Sequence, residues 1–574
     1  MKKYARILLF TVMTVSAAFA AGGENSASAS PAASAQVQAV PAASEVFING
    51  QEVKFDAYNI NGNNYFKLRD LAKALDGTGK SFAVDWDSAG NRINLLPGQA
   101  YKPVGGELAV LERLDKKKAT VAASGILVNG RQVALTAYNI GGNNYFKLRD
   151  LSRQLDFPVT WRSYDNTIQI ITYPNVSVTA VNAVAQARTS ADYYYSNWFR
   201  PSERYLFRTG DRINLLEIKD QTIYIQQFAA DFSKLEETTV RMELPLFGGF
   251  HMDDDGNYYI VYGQENMEES DDKTVYRVVK YDASWTNTGQ ADITGVYVSR
   301  PFDGSNLTMD SSGGKLVIHS ARLRYVTPDD GLRHQSNISF LIDTGSMAVL
   351  QKGGQWPDNH VSHSFATYVR FDGDRIVYAD HGDAYPRGFV LQVEEYGSIT
   401  KTIDLALFPG NTGDNYTGAY LGGLESSASN YLVAGSNSVF TYPAYRSSQN
   451  VFLSVVPKTA HNIMDVKTVM LTDHPANSDI RIRETHLSRV NENKFVLLWR
   501  EYHENTSDQA LYYAVVDGQG EILQKPVKLA GVPSPGNMTP LVQGNTLTWY
   551  FSVSDTRGRS NRQNVIEFYT LKVD

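Results

Sequence analysis

Apolar positions recur at helical spacing in two short stretches that mirror each other. Leu68, Leu71, Ala72 and Leu75 fall at i, i+3, i+4 and i+7, as do Leu148, Leu151, Ser152 and Leu155, and each set predicts a short helix with one buried stripe. Lys67, Arg69, Asp70 and Lys73 fall on the opposite, polar side of the first helix. Ahead of each helix lies a strand ending in Asn-Gly, Val46–Gly50 and Ile126–Gly130, where the dipeptide supplies the positive φ of a hairpin turn. Behind each helix comes a strand pair, Val84–Asp87 with Arg92–Leu96 and Val159–Arg162 with Thr167–Ile171. These are small α+β units. Their likeness extends to identity: Ala57–Leu71 (AYNINGNNYFKLRDL) and Ala137–Leu151 (AYNIGGNNYFKLRDL) differ only at Asn61 against Gly141, the mark of a duplicated module.

From about residue 190 the pattern changes to alternating strands separated by Gly, Asp and Asn turns. Hairpins recur at Gly249–Tyr262, Asn306–His319, Ser364–Tyr378, Ala419–Ala434, Thr485–Trp499 and Met538–Phe551, most followed by two further strands, as in Phe340–Leu350 and Tyr512–Leu529. Four antiparallel strands every 40 to 55 residues or so is the arithmetic of a β-propeller blade. With Asp211–Leu244 as a divergent first unit, the expectation is a multidomain chain: α+β modules, then an all-β propeller of seven blades, with six or eight as neighbouring counts and a β-sandwich pair as the alternative architecture. Because Phe568–Val573 ends the chain on a strand, the closing blade is expected to borrow a strand from before residue 210.

Composition and charge narrow the function classes. The 574 residues include Tyr 34, Phe 25 and Gly 44 against 20% charged residues, which favours strands and turns over long surface helices. Net charge is −7, the acidic excess falls after residue 172, and nucleic acid is not an expected partner of that region. Lys2, Lys3 and Arg6, the apolar run Ile7–Val15 and Ala18-Phe19-Ala20 read as a signal peptide cleaved after Ala20, so the protein is expected to be exported and no membrane segment is expected afterwards. Residues 21–44, rich in Ala, Ser and Pro, read as a disordered linker. With no cysteine, disulfides and thiolate metal sites are excluded. The remaining boundaries are a first module over 45–108, a linker over 109–124, a second module over 125–172, a linker over 173–189 and the propeller-like region over 190–574.

The run YNIxGNNYFKLRDLA, the later Val84-Asp85-Trp86-Asp87 and Tyr101–Leu108 (YKPVGGEL) resemble the stalk domain of secreted bacterial proteins, known as the copper amine oxidase N-terminal domain. The resemblance covers about residues 45–172. It implies a spacer or surface-associated module in a bacterial secreted or cell-surface protein, and no copper or quinone cofactor, since those belong to a separate catalytic domain that nothing after residue 172 resembles. Trp86 and Trp161 read as core aromatics, with carbohydrate stacking as the other reading.

Candidate chemistry gathers where five of the ten histidines lie, from His319 to His381. Arg322, His334, His363, Asp380, His381, Asp383 and Arg387 form the candidate ligand set; His334, His363, His381 and Asp383 are the metal candidates. The competing reading is structural, with these groups holding neighbouring blades together. Two acidic runs, Met252–Asn257 and Glu268–Asp272, lack EF-hand spacing and read as solvated turns. The leading expectation is a non-enzymatic surface or extracellular binding protein whose partner is a cell-wall or extracellular polymer or a small ligand. The enzymatic alternative uses His363 or His381 as nucleophile or base with Arg387 or Arg322 holding an anion; through fold and a His-rich stretch alone it resembles the arylsulfate sulfotransferases. A structural spacer or assembly protein is the third reading.

Overall fold

Both Asn-Gly turns form with positive φ at Asn49, Gly50, Asn129 and Gly130, and they set the register of everything around them. The computed structural model describes residues 36–162, 166–182, 201–437, 449–476, 478–506, 508–553 and 565–574. Almost all of its regular structure is β, with two α-helices among the described residues, α1 (Leu68–Leu75) and α2 (Leu148–Leu155), at the two apolar stripes. In α1 the buried set is Leu68, Leu71, Ala72 and Leu75, joined by Asp70. Asp70 was expected on the solvent side; instead it is 1% exposed, because its Oδ1 accepts the Leu108 N–H at 3.1 Å and thereby holds the turn that follows Tyr101.

The two module copies form one interlocked body. A closed barrel takes strands Ala57–Ile60 and Asn63–Lys67 from the first copy and Ala137–Ile140 and Asn143–Lys147 from the second. Its last two strands are Val37–Pro41 and Lys117–Val121, which lie in stretches expected to be linkers. Ala39 and Ala119 are fully buried there and pack in one cluster with Tyr58, Tyr65 and Tyr145, an apolar contact that the Ala-rich composition did not announce. Each flanking sheet is also shared. Arg92–Pro97 pairs in parallel with Gly125–Val128, and Thr167–Ile170 pairs in parallel with Glu45–Ile48. Neither copy therefore completes its own sheets.

The larger region is a succession of antiparallel four-stranded units. The first runs Arg204–Thr209, Arg212–Lys219, Thr222–Phe228 and Lys234–Arg241, and the next runs from Leu246–Met252 to Asn287–Ile293. A nine-stranded sheet follows, whose halves, Val298–Lys352 and Ser362–Leu407, are joined through the single pair Ser336 and Ser362. Four-stranded sheets then span Tyr420–Met470 and Ile480–Leu529. In the last sheet Leu541–Gln543, Thr546–Val553 and Val565–Lys572 are completed by Val176–Asn182, drawn from before residue 210 and from a stretch read as linker.

Consecutive units pack face to face through apolar cores. Phe207 and Leu216 meet Phe250 and Tyr258; Tyr259 and Val278 meet Met309 and Ile318; Ala366 and Leu391 meet Leu421 and Tyr431. One core contains Val496 and Leu511, then Trp549 and Phe568, and also Leu206 and Leu215, so the last unit touches both its predecessor and the first. At roughly 25 cal/mol per Å² of apolar area, burial of this kind is the main force holding the units in order.

The body is seated on the head. Gly50 abuts Gly531 so closely that a Cβ on Gly50 would lie 2.9 Å from the Gly531 Cα. Arg162 donates to both carboxylate oxygens of Glu567, at 3.0 and 2.9 Å, and Asn175 Nδ2 donates to the Tyr513 hydroxyl at 3.0 Å.

Candidate functional site

The His-rich stretch lies on the strands Lys315–Val326, Arg333–Asp343, Ser362–Asp372 and Arg375–Tyr385, and alternation along these strands separates its members. Asp380 faces the preceding unit. There His319 Nε2 meets Asp380 Oδ2 at 2.9 Å, and Ser364 and Asn337 add weaker bonds at 3.3 and 3.4 Å, all without solvent access. His381 and Asp383 face the other way, onto the loop Pro409–Thr417. His381 is walled by Phe365, Phe389 and Phe408, and its Nε2 meets the Thr417 hydroxyl at 2.7 Å. Burial among these rings pushes its pKa down to about 3.

Asp383 and Arg387 form an ion pair beneath the same loop. Arg387 donates to the carbonyls of Pro409 and Tyr416 at 3.1 and 2.9 Å, and Asp383 accepts the Asn415 N–H at 2.5 Å. His363 reaches this group, its Nδ1 3.8 Å from Asp383 Oδ2, on a backbone with φ +52°. Arg322 is fully buried and donates to the carbonyls of Val296 and Gly354, while burial lowers its pKa to about 10. His334 stands apart, bonded to Asp330 at 2.7 Å. The structure thus brings His363, His381, Asp383 and Arg387 around one loop and leaves Arg322, Asp380 and His334 elsewhere. Among the described residues no group of three or more His, Asp or Glu is placed to hold a metal ion, so the four metal candidates do not form a set. Asp380, Asp383 and Arg387 are bonded to backbone groups or to neighbouring side chains, in line with the structural reading of the stretch, while the buried Arg322 Nε has no hydrogen-bond partner.

A different place has room for a ligand. Between body and head lies a cleft of about 810 Å³, lined by Phe47 and Gln169 of the body and by Arg500, Leu511, Pro535, Tyr550 and Phe551 of the head. Three guanidiniums line it, Arg162, Arg204 and Arg500, together with Glu45 and Glu484. They are not equally engaged. Arg162 is locked to Glu567, and Arg500 donates to Glu484 and Gln509 at 2.8 Å each, with its Nε buried and without a hydrogen-bond partner. Arg204 lies 3.9 Å from Glu217 and 5.8 Å from the centre of the Tyr550 ring.

Glu217 sits behind Tyr550, whose hydroxyl donates to Glu217 Oε1 at 3.2 Å; the other oxygen is buried and has no partner. Desolvation raises the Glu217 pKa against the opposing pull of Arg204. Arg204 stays beyond direct hydrogen-bond distance of Glu217, at 3.9 Å, and its guanidinium lines the cleft. Sequence reasoning passed over these residues because they come from separate segments and carry no motif; the one signal was Glu217, a charged residue beside the apolar Leu215, Leu216 and Ile218 in the strand Arg212–Lys219.

No family model and no curated protein matches this chain. Among solved structures it is similar to BamB from Moraxella catarrhalis, at 12% identity over 63% of this chain and 95% of that one, with a TM-score of 0.33. It is similar to the subtype N10 neuraminidase-like protein of a little yellow-shouldered bat influenza virus, at 8% identity, 59% and 98% coverage, and a TM-score of 0.32. A third is the α-L-arabinanase of Cellvibrio cellulosa, at 9% identity, 57% and 95% coverage, and a TM-score of 0.29.

Proposed function

We propose that the protein is an exported bacterial binding protein in which the interlocked stalk-type modules and a seven-bladed propeller head together hold a small, oxygen-rich anionic ligand. The observation that carries the reading is the cleft of about 810 Å³ between body and head, lined by Arg204, which lies 3.9 Å from the buried Glu217 carboxyl, and by Arg500, whose Nε has no hydrogen-bond partner. Guanidiniums in a partly dry cleft suit carboxylate or sulfate groups, which they meet in planar, paired hydrogen bonds. The duplicated body is then one wall of the site as well as a spacer. Export is supported by the leader pattern Lys2–Ala20, and seven blades by the succession of four-stranded units.

The test is a thermal-shift screen of the full chain against glucuronate, galacturonate, glucose 6-sulfate and neutral glucose. Charged probes are expected to raise Tm and glucose to leave it unchanged, with the shift lost in Arg204→Met. Equal responses to charged and neutral probes, or none to any, would refute the reading. An enzymatic second reading rests on Tyr550, whose hydroxyl lies between the cleft and buried Glu217; turnover of an aryl glycoside or aryl sulfate that disappears in Tyr550→Phe would establish it.

A further inference from the structure

The two tryptophans expected in the module core are on its surface: Trp86 is 51% exposed and Trp161 is 49% exposed. An indole buries a large apolar area when it is used in a core, so two equivalent copies left half open call for an explanation. Trp161 lines a groove of about 670 Å³ whose walls combine apolar side chains, Val40, Val159 and Ile168 among them, with the polar Asn59, Asn63, Asn64, Ser44 and Asn166 and the cations Lys147 and Arg149. The amide and hydroxyl side chains are held in a fixed array. Asn166 accepts from Ser44 Oγ at 3.0 Å and donates to the Ala43 carbonyl at 2.9 Å, Asn59 donates to Asn64 at 2.9 Å, and the Trp161 indole N–H reaches Asn166 at 3.4 Å.

The interlocked arrangement builds this rim from both copies: the Asn-rich turn comes from the first and the tryptophan from the second. The positions equivalent to this set in the other pairing of the copies bond to one another in the same pattern. Ser124 donates to Asn91 at 3.4 Å, Asn91 donates to the Ala123 carbonyl at 3.4 Å, and Asn139 donates to Asn144 at 3.4 Å. Duplication has thus preserved an exposed indole and a polar rim together, although neither is needed to bury the helices or close the barrel.

From this pairing we infer that the body carries two equivalent binding sites for a chain of β-1,4-linked pyranose sugars. Such a chain is a flat ribbon. Its ring faces present C–H groups that pack on an indole, and its edges present hydroxyls or acetamides that both donate and accept, as an asparagine side chain does. An apolar protein partner would require several aromatic or large buried anchors, whereas Trp161 is the one aromatic ring of this groove and is set among asparagines. The inference is independent of the cleft between body and head, because no residue named here lines it.

The experiment is isothermal titration of the full chain with cellohexaose and with chitohexaose. At least one is expected to bind, and a preference distinguishes a plain glucan from an N-acetylated one. Trp161→Ala is expected to weaken binding at least about tenfold, equivalent to 1.4 kcal/mol. Trp86→Ala/Trp161→Ala should abolish it, and Trp161→Phe should fall between wild type and Trp161→Ala. Since Trp161 also bonds Asn166, Asn63→Ala supplies a second test on a half-buried side chain of the groove, with a several-fold loss expected. Wild-type protein that binds neither oligosaccharide overturns the inference. So does binding that survives in the double tryptophan variant, including binding that 0.5 M NaCl then removes, which would assign it to Lys147 and Arg149.

Discussion

Replacing Arg162 by Met should loosen the body from the head by a predictable amount. In the native protein Arg162 makes two parallel bonds to Glu567, at 3.0 and 2.9 Å, and a longer one to the Tyr569 hydroxyl at 3.4 Å. The side chains are 14% and 0% exposed, so solvent screening removes little of the interaction. Without Arg162, the Glu567 carboxylate keeps only the Tyr569 hydroxyl, which donates at 2.6 Å. Hydrogen bonds to charged groups contribute about 1.5–3 kcal/mol each, and removing one partner of a buried pair costs about 3–5 kcal/mol because the other charge stays desolvated. The expected loss is therefore about 3–5 kcal/mol. A chain of many packed units does not unfold in one step, so the assay should be local: hydrogen exchange of the amides in Val565–Lys572 and Thr167–Ile170, with opening free energies compared between variants. The double variant Arg162→Met/Glu567→Met should recover most of the loss, since it removes both charges. A single-variant loss below about 1 kcal/mol, or a double variant no better than the single, would refute the argument.

Three further outcomes follow from the same geometry. Glu217 has a raised pKa, so between its ordinary value and the raised one the native state binds more protons than the unfolded state and stability falls as pH rises; Glu217→Gln should flatten that limb of a Tm against pH curve and be the more stable form at pH 8. His381 is shifted the other way, to about 3, so the unfolded state takes up its proton first and stability falls as pH drops from about 6.5, by about 1.4 kcal/mol per pH unit; His381→Leu should lose some stability at neutral pH yet shed that slope in the same measurement. Gly531→Ala would place a Cβ 2.4 Å from the Gly50 nitrogen on a backbone with φ +76°, and limited proteolysis should show earlier cleavage between body and head than in wild type.

Local physics was legible in the sequence where it was strong. Leu68, Leu71, Ala72 and Leu75 mark a helix because no other period buries all four, and Asn49-Gly50 marks a turn because few other pairs adopt its φ angles. The repeated hairpins announced antiparallel units in the same way. The His-rich stretch was legible as unusual but not as a site: whether Asp380 and His381 share a face depends on strand alternation, and whether they are satisfied depends on His319 and Thr417, which approach only after the units pack.

What the chain alone determined, then, is everything set by neighbours within a few residues: the two helices, the turns, the alternation of strands and the identity of the two module copies. Tertiary structure decided which strands are partners. It sent Val37–Pro41 into a barrel, where Ala39 is buried in one cluster with three tyrosines, crossed the two copies so that each completes the other's sheets, and used Val176–Asn182 to finish the last sheet. It also decided where a ligand has room. Arg162, Arg204 and Glu217 are far in sequence from Arg500 and Tyr550, and the two groups meet at one cleft only because buried apolar area fixes how body and head are seated. Pairing between distant segments has no local signature, since the hydrogen bonds and surfaces that select a partner are the same for many strands until the rest of the fold excludes the alternatives.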